Sequence, residues 1–397
     1  MRGPYIGENL SSRSPFCFDP WEAYTAGIVK SHSLAITGVK GTGKSMLAKS
    51  FATRLCRMGR NVAVPHDPNG EWERVSEYVG GKTISIDLSG SFKINLLEAG
   101  ERDTTMSGEA WRNHITQDRR GVISQIVQQL RRTHELPPYE HTAIDIALRS
   151  LDTQTIVTVV HVFQALRDLT PDGDEVDEDV VVAGRQLAHT LRRLVAGDLA
   201  GMFDGISTVM FDPTAPMMVV NTSALKNASP QMQALTRFAT SRWVRNATTG
   251  SNVRPRVIVH EEAAIALMND AYGGTGLKDR VTDEKVARHM GVSNWYLLHR
   301  LSDLDALGDH GSAMQTQARG LLADCETRVS FSQHPGEIPA MAQVLGWNQT
   351  MSAVVKNELK KGESLWQIGA DRVALVKNKL SDGEFNVFRT DHGGSGA

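Results

Sequence analysis

A segment near the start of the chain has the residue types and spacing of a phosphate-binding loop. Residues 38–45 read Gly-Val-Lys-Gly-Thr-Gly-Lys-Ser and match the pattern G-x-x-x-x-G-K-[ST]. The glycines let the backbone curl so that consecutive N–H groups point at one phosphate, and a following helix adds its positive end. In such a loop, Lys44 reaches the β- and γ-phosphates and the Ser45 hydroxyl ligates Mg²⁺. The alternative is a glycine-rich turn that binds nothing.

The spacing therefore predicts an ATP and Mg²⁺ site. Its nucleotide-binding residues are predicted to be Gly38, Val39, Lys40, Gly41, Thr42, Gly43, Lys44, Ser45 and Met46.

Two adjacent acids follow a short apolar run and are the candidate partners of this loop. Residues 256–260 (Arg-Val-Ile-Val-His) are predicted to form a strand that delivers Glu261 and Glu262 to the carboxyl edge of a sheet. Ligands bind at that edge in open α/β folds. We assign Glu261 to the Mg²⁺ shell and Glu262 to activation of the attacking water. The alternative is that both acids favour the N-terminus of a following helix.

A histidine at the end of another predicted strand is the candidate γ-phosphate sensor. Residues 295–298 (Trp-Tyr-Leu-Leu) precede His299 and Arg300. His299 can donate a hydrogen bond to a phosphate or a water, and it can equally be an ordinary histidine at a strand end.

Alternating strand and helix patterns surround the loop. Residues 34–37 are predicted to be a strand, 45–58 a helix, 61–64 a second strand stopped by Pro65, and 83–88 a third strand. Strand, helix and strand with crossovers of this length indicate a parallel sheet covered by helices.

The middle of the chain has helical periodicity instead. The pattern is clearest over residues 121–132 and 180–195. Further predicted elements follow: strands at 217–220 and 327–331, a helix at 230–246, and three short strand-like pieces within 364–390. The predicted organisation is an α/β core over residues 1–100 and 206–392, an all-helical insertion over 101–205, and a flexible tail over 393–397.

The composition excludes a collagen, a long coiled coil and a mostly disordered chain. The 397 residues are 41% hydrophobic and 22% charged, with a net charge of −2. These values are typical of a globular chain, and they show no overall positive charge of the kind that marks a nucleic-acid binder. No apolar stretch approaches the roughly 18 residues of a spanning helix, and the N-terminus lacks the apolar region of a signal peptide. Three widely spaced cysteines suggest neither a disulfide framework nor a zinc site.

Several segments, in order, resemble those of a known family. Beside the phosphate loop, residues 66–72 (His-Asp-Pro-Asn-Gly-Glu-Trp) are similar to D-P-x-G-E-[YW], 92–97 to I-N-P-[LF], and 261–267 to D-E-A-W-x-L-L. Residues 287–291 with 298–304 resemble R-K-x-G followed by T-Q-R-x-x-D, and residues 325–328 fit the next segment. This ordered set resembles the ATPases of conjugative type IV secretion systems, the TraC-like, VirB-type branch of the HerA/FtsK superfamily of P-loop motors.

The resemblance implies a RecA-like P-loop core with a mostly parallel sheet and an inserted all-helical subdomain. It implies a Mg-ATP hydrolase that works as a homo-hexamer with the secretion machinery, on the cytoplasmic side at the inner face of the membrane. An arginine from the neighbouring protomer would touch the γ-phosphate, and Arg288 and Arg328 are the candidates. Members of the branch carry a large N-terminal domain, and only 37 residues precede Gly38. The chain is therefore expected to correspond to the motor domain alone.

Departures from the family pattern leave alternatives open. The usual acid of the Walker B strand is an aspartate, which is replaced by Glu261; the sensor glutamine is replaced by His299, and Leu96 follows Asn95 in place of a proline. A DNA translocase or coupling ATPase of the same superfamily, with DNA as its partner, is one alternative. A nucleotide-binding scaffold with little turnover is another.

Overall fold

The computed structural model describes residues 2–89, 92–100, 102, 104–133, 135–172, 176–248, 255–261, 291–302 and 313–389. An 11-stranded mixed sheet runs through it in the order β2-β1-β11-β10-β9-β3-β8-β7-β4-β6-β5. The strands are β1 Tyr5–Asn9, β2 Pro15–Cys17, β3 Leu34–Thr37, β4 Asn61–Asp67, β5 Lys82–Ser85, β6 Met217–Asn221, β7 Arg256–His260, β8 Val292–Leu298, β9 Thr327–Ser330, β10 Glu363–Ile368 and β11 Arg372–Asn378.

The sheet has a parallel part and an antiparallel part. The strands from β9 to β5 in this order all pair in parallel. The other four form antiparallel pairs, in which β1 lies between β2 and β11, and β10 joins β11 to β9. The sheet is therefore mostly parallel, as predicted.

Helices cover both faces of the sheet. In the described part of the chain, the α-helices are α1 Pro20–Thr25, α2 Lys44–Arg57, α3 Glu73–Tyr78, α4 Gly108–Arg131, α5 Pro138–Ser150, α6 Val159–Arg167, α7 Glu178–Ala196, α8 Pro230–Thr248, α9 Ala313–Ala323, α10 Ile338–Leu345, α11 Gln349–Asn357 and α12 Asp382–Phe388. Side-chain caps fix several starts; Asp177, for example, accepts from the backbone N–H of Val180 to begin α7.

Alternate residues of the buried strands face two different cores. In β6, Met217 and Val219 pack in a core with α2, whereas Met218 and Val220 pack in a core with α4 to α8. This follows from the two-residue period of a strand, and it explains why the first four residues of β6, Met217 to Val220, are all apolar. Between β5 and β6 the described regular elements are the helices α4 to α7, which confirms a helical insertion in an α/β core. The predicted domain boundaries themselves stay predictions.

Three expectations about local structure are wrong. Strand β4 continues through Pro65 to Asp67, because the proline lies where the pairing of β4 with β6 changes register and no ladder N–H is needed. The third strand, expected to reach residue 88, ends at Ser85. The last strand-like piece of residues 364–390 is helix α12, where Ser381 and Glu384 form a capping box. Strands β1 and β2 were not anticipated.

The described helices include none with the length and apolarity that crossing a membrane requires. The three cysteines all lie in the described part of the chain and form no disulfide with one another, and burial raises the pKa of the Cys56 thiol to about 12.

Candidate nucleotide-binding site

The predicted site residues meet at one edge of the sheet because their strands are parallel neighbours. Strand β8 lies between β3 and β7, with Thr37 opposite Leu298 and His260 opposite Tyr296. The residues that follow these strands, Gly38, His299 and Glu261, therefore emerge side by side. Strand β4 lies beyond β7 and delivers residues 67–72 to the same edge. This is the carboxyl edge, where open α/β sheets bind their ligands.

The phosphate loop is fixed to the strands around it. The Gly38 N–H donates to Leu298 O at 3.3 Å, and the Val39 N–H donates to Ser332 O at 3.1 Å. At the far end of the loop, the Gly362 N–H donates to Thr42 O at 2.8 Å. The Thr42 hydroxyl closes the turn on Val39 O at 2.7 Å. The curled backbone is thus held in place by segments next to β8, β9 and β10.

Two glycines of the loop are required by backbone conformation and by space. Gly38 has φ +156°, and a Cβ there would lie 2.6 Å from the Cβ of Phe331. Gly43 has φ +114°, and its Cβ would lie 3.3 Å from the Cα of Gly362. Side chains rarely adopt such φ values, so these positions call for glycine. Helix α2 begins directly after Gly43, and the first N–H groups of a helix lack intrahelical acceptors and can bind an anion.

Lys44 is the first residue of α2 and is buried. Its Nζ lies 3.0 Å from Nδ1 of His299 and 3.5 Å from Val39 O. Because the ammonium group only donates, Nδ1 is the acceptor and the proton of a neutral His299 ring lies on Nε2. Burial lowers the pKa of Lys44 to about 8, and the nearby charge of Glu261 partly opposes this shift. Lys44 and His299 therefore meet where the resemblance places the phosphate and its sensor.

Glu261 comes directly after β7 and points toward the segment that follows β4. Its Oε1 accepts a hydrogen bond from the indole Nε1 of Trp72 at 2.8 Å. Burial raises the pKa of Glu261 to about 7; the Trp72 hydrogen bond and Lys49 oppose the rise, and the charges of Glu71 and Asp67 add to it. A carboxyl group with these neighbours favours the approach of a cation.

The segment of residues 67–72 forms a tight turn around one carboxylate. Asp67 accepts from the backbone N–H groups of Asn69 at 3.3 Å, Glu71 at 3.1 Å and Trp72 at 2.8 Å. Burial raises the pKa of Asp67, although these three hydrogen bonds and the charge of Lys49 oppose the rise. Glu71 in turn forms a 2.9 Å ion pair with Lys49 of α2. The turn is thus tied to the helix that carries the phosphate loop.

The remaining predicted residues are not brought to the loop by the described structure. Arg328 lies in β9, and its guanidinium donates to the backbone carbonyls of Ala323, Cys325 and Leu345 within its own chain. Its action on a neighbouring protomer stays a prediction. Glu262 and Arg288 lie outside the described residues.

The donor set fits Mg²⁺ bound together with a nucleotide. Among the described residues, no group of three His, Cys, Asp or Glu side chains could hold a metal by itself. Mg²⁺ needs no such cage, because it is commonly held by one or two carboxylates, by phosphate oxygens and by water. Ser45, in the first turn of α2, and Glu261, after β7, supply hard oxygen donors of the right type.

The sequence finds no match among protein-family models or among curated proteins. The structure is similar to VirB4 of Thermoanaerobacter pseudethanolicus, with a TM-score of 0.74 at 18% identity, over 96% of this chain and 98% of that chain. The fold is that of VirB4.

The bacterial conjugative coupling protein TrwB has a related fold. TrwB in complex with a non-hydrolysable ATP analogue gives a TM-score of 0.59 at 14% identity, over 96% of this chain and 94% of that chain. TrwB in complex with ADP and Mg²⁺ gives 0.57 at 15% identity, over 96% and 95%. Together with the VirB4 match, these similarities confirm the predicted P-loop α/β fold.

Sequence reasoning missed the contacts that organise the acids. Trp72 and Lys49 were assigned no role, although the segment of residues 66–72 was singled out by the resemblance. A polar turn directly after an apolar strand was the signal available. Its link to Glu261 depends on the strand order, because β4 and β7 are neighbours in the sheet but distant in sequence.

Proposed function

We propose that this chain is a motor ATPase that hydrolyses Mg-ATP to power the transfer of DNA or protein by a conjugative type IV secretion system. The observation that carries the proposal is the convergence of Lys44, His299 and Glu261 at one sheet edge, next to a complete phosphate loop. The VirB4 fold supports the choice of machinery.

Each residue has a distinct part in the reaction. Lys44 would hold the β- and γ-phosphates, and the N–H groups of the loop and of the first turn of α2 would surround them. Glu262 would orient a water and accept its proton as the water attacks the γ-phosphorus in line. The bond to the bridging oxygen breaks, and its electrons leave with ADP. Catalysis of this kind is mostly positioning and charge neutralisation.

The metal would be held by Ser45 and Glu261 together with the phosphates. When bound, Mg²⁺ neutralises charge on the β- and γ-phosphate oxygens. His299 would sense the γ-phosphate, because it already contacts the ammonium group of Lys44.

The proposed assembly is a homo-hexamer with nucleotide between protomers. Arg288 or Arg328 of the adjacent protomer would complete the site. The chain would act in the cytoplasm, as a peripheral component held at the inner face of the membrane by the secretion machinery.

Phosphate release from Mg-ATP tests the proposal. The wild type is compared with Lys44→Ala and Glu262→Gln across protein concentration. Lys82→Ala serves as a control, since Lys82 lies on β5 and pairs with Asp212, away from the loop. Hydrolysis that requires both Lys44 and Glu262 and rises more than linearly with concentration supports a motor with shared sites. Unchanged hydrolysis in Lys44→Ala contradicts the assignment.

A DNA-coupling ATPase is the second candidate, because the coupling protein TrwB shares the fold over 96% of this chain. DNA-stimulated hydrolysis that weakens steeply with salt favours this second candidate.

A third outcome is nucleotide binding without turnover. It would indicate a scaffold in which Glu261 and His299 have replaced the residues of an active motor.

A further inference from the structure

The segment of residues 66–72 has no role in the mechanism above, yet it contacts the acid proposed to hold the metal. The indole Nε1 of Trp72 donates to Oε1 of Glu261 at 2.8 Å. We propose that Trp72 is a positioning residue that fixes one oxygen of Glu261 and so directs the other oxygen to nucleotide-bound Mg²⁺. This inference rests on the proposed function.

Trp72 is a rigid donor. Its side chain is 0% exposed and packs in the core that contains α2. Its backbone N–H is held by Asp67 at 2.8 Å, and its carbonyl accepts from Ser76 N–H at 2.8 Å as α3 begins. The backbone of Trp72 is fixed by these hydrogen bonds and its ring is fixed by packing. The position of Nε1 is therefore set by the fold and not by Glu261.

The turn that carries Trp72 is coupled to the helix of the phosphate loop. Lys49, whose side chain is 0% exposed, lies in the second turn of α2, the helix that begins at Lys44, and pairs with Glu71 at 2.9 Å. The same turn therefore contacts α2 through Glu71 and the end of β7 through Trp72. These two contacts link the phosphate loop to Glu261, and a metal shared between Glu261 and the phosphates would need both to stay in place.

The identity of the acid explains why such a donor is needed. A glutamate has one rotatable bond more than an aspartate, so its carboxylate has more orientations to choose from. A hydrogen bond to one oxygen removes much of that freedom while the other oxygen stays available as a ligand. Residues that orient a metal ligand in this way commonly change metal affinity by about 10- to 100-fold when they are replaced.

Nucleotide binding with and without Mg²⁺ tests the proposal without relying on turnover. Binding of a fluorescent ADP is measured in EDTA and across a Mg²⁺ titration for the wild type and Trp72→Phe. We expect similar affinity in EDTA, and about a tenfold higher Mg²⁺ concentration for half-maximal effect in Trp72→Phe. Equal Mg²⁺ requirements in the wild type and Trp72→Phe overturn this inference and leave the proposed function standing. No nucleotide binding by the wild type overturns the proposed function, and the inference with it.

Two further variants separate positioning from packing. Trp366→Phe is the matched control, because Trp366 is also 0% exposed and its indole donates to a side-chain oxygen, that of Ser364 at 3.1 Å. It should lose similar stability while its Mg²⁺ requirement stays at the wild-type value. In a Glu261→Gln background, the effect of Trp72→Phe on the Mg²⁺ requirement should disappear. An effect that persists without Glu261 overturns the inference.

A spectroscopic measurement tests the same inference without any Trp72 variant. The chain has seven tryptophans, so its indole ¹⁵N–H spectrum is simple. Glu261→Gln should displace one indole resonance strongly, and adding Mg²⁺ to the ADP-bound wild type should displace the same resonance. If Mg²⁺ leaves that resonance in place, the inference is wrong.

Discussion

The Nζ of Lys44 and the Nδ1 of His299 lie 3.0 Å apart, so the lysine of the phosphate loop is already held by the residue at the end of the neighbouring strand. A nucleotide phosphate would replace the imidazole as the acceptor for Lys44. His299 would then be released beside the γ-phosphate. One contact thus connects the phosphate loop to the proposed sensor.

Replacing His299 should lower turnover more than binding. We expect His299→Leu to reduce kcat for ATP by about 10- to 100-fold, since it removes one polar group from the phosphates, and His299→Gln to stay within about threefold. His141→Leu, an exposed change on α5, is the control. Steady-state phosphate release distinguishes these variants. Equal rates in His299→Leu and the wild type would contradict a sensor role.

Nucleotide affinity should decline above pH 8. Burial lowers the pKa of Lys44 to about 8 in the free protein, and the charged form is the one that binds phosphate. Below pH 8 the lysine is already charged; above it, binding must take up a proton, so Kd rises by up to about tenfold per pH unit. Calorimetry at pH 7.5 and 9 in buffers of different ionisation enthalpy measures this uptake. Binding without proton uptake at pH 9 would show that the pKa of Lys44 is not lowered in this way.

The stability of the fold should fall in mild acid through His66. Its Nε2 accepts from Arg237 Nε at 2.9 Å and its Nδ1 lies 2.8 Å from the Thr222 hydroxyl, so the ring is held neutral. Burial, and then the charge of Arg237, lower the pKa of His66 to about 3. The unfolded pKa is about 6.5, so this contribution is complete above pH 6.5 and is lost as pH falls toward 3, by about 1.4 kcal/mol per pH unit.

Urea unfolding between pH 7.5 and 5 measures that loss. His66→Gln should flatten the dependence relative to the wild type, whereas His141→Gln, at an exposed position, should leave it unchanged. The same slope in His66→Gln as in the wild type would show that another group is responsible.

Lys49→Met should destabilise the protein by about 2 kcal/mol. The substitution keeps the volume but removes the buried charge that faces Glu71, Asp67 and Glu261, and breaking a buried pair is costly. We expect less than the full cost of a buried pair, because the side chain of Glu71 is 29% exposed. Lys82→Met, which breaks the exposed Lys82–Asp212 pair, should cost less than about 1 kcal/mol. Urea midpoints that move equally would contradict this account.

Local patterns predicted the elements that carry the site, but not the contacts between them. The bounds of β3 and β7 match the predicted ones, because short apolar runs there meet clear turn or polar signals at both ends. Strand β4 was cut short at Pro65, because only the pairing with β6 shows that no N–H is needed there. The bond between Trp72 and Glu261 joins residues 189 positions apart. Such a contact depends on the order of strands in the sheet, which no local pattern contains.

The hydrogen bond from the Gly362 N–H to Thr42 O has a consequence for how the protein folds during its synthesis. The residue that closes the far end of the phosphate loop, and the strand β11 that pairs with β1, follow the elements they contact at a long distance along the chain. The emerging polypeptide therefore cannot complete its nucleotide pocket until Gly362 has left the ribosome. A chain that stalls before Gly362 would expose both the loop and the apolar edge beside β9. We expect such truncated products to be recognised by chaperones and proteases rather than to accumulate as ATP-binding fragments.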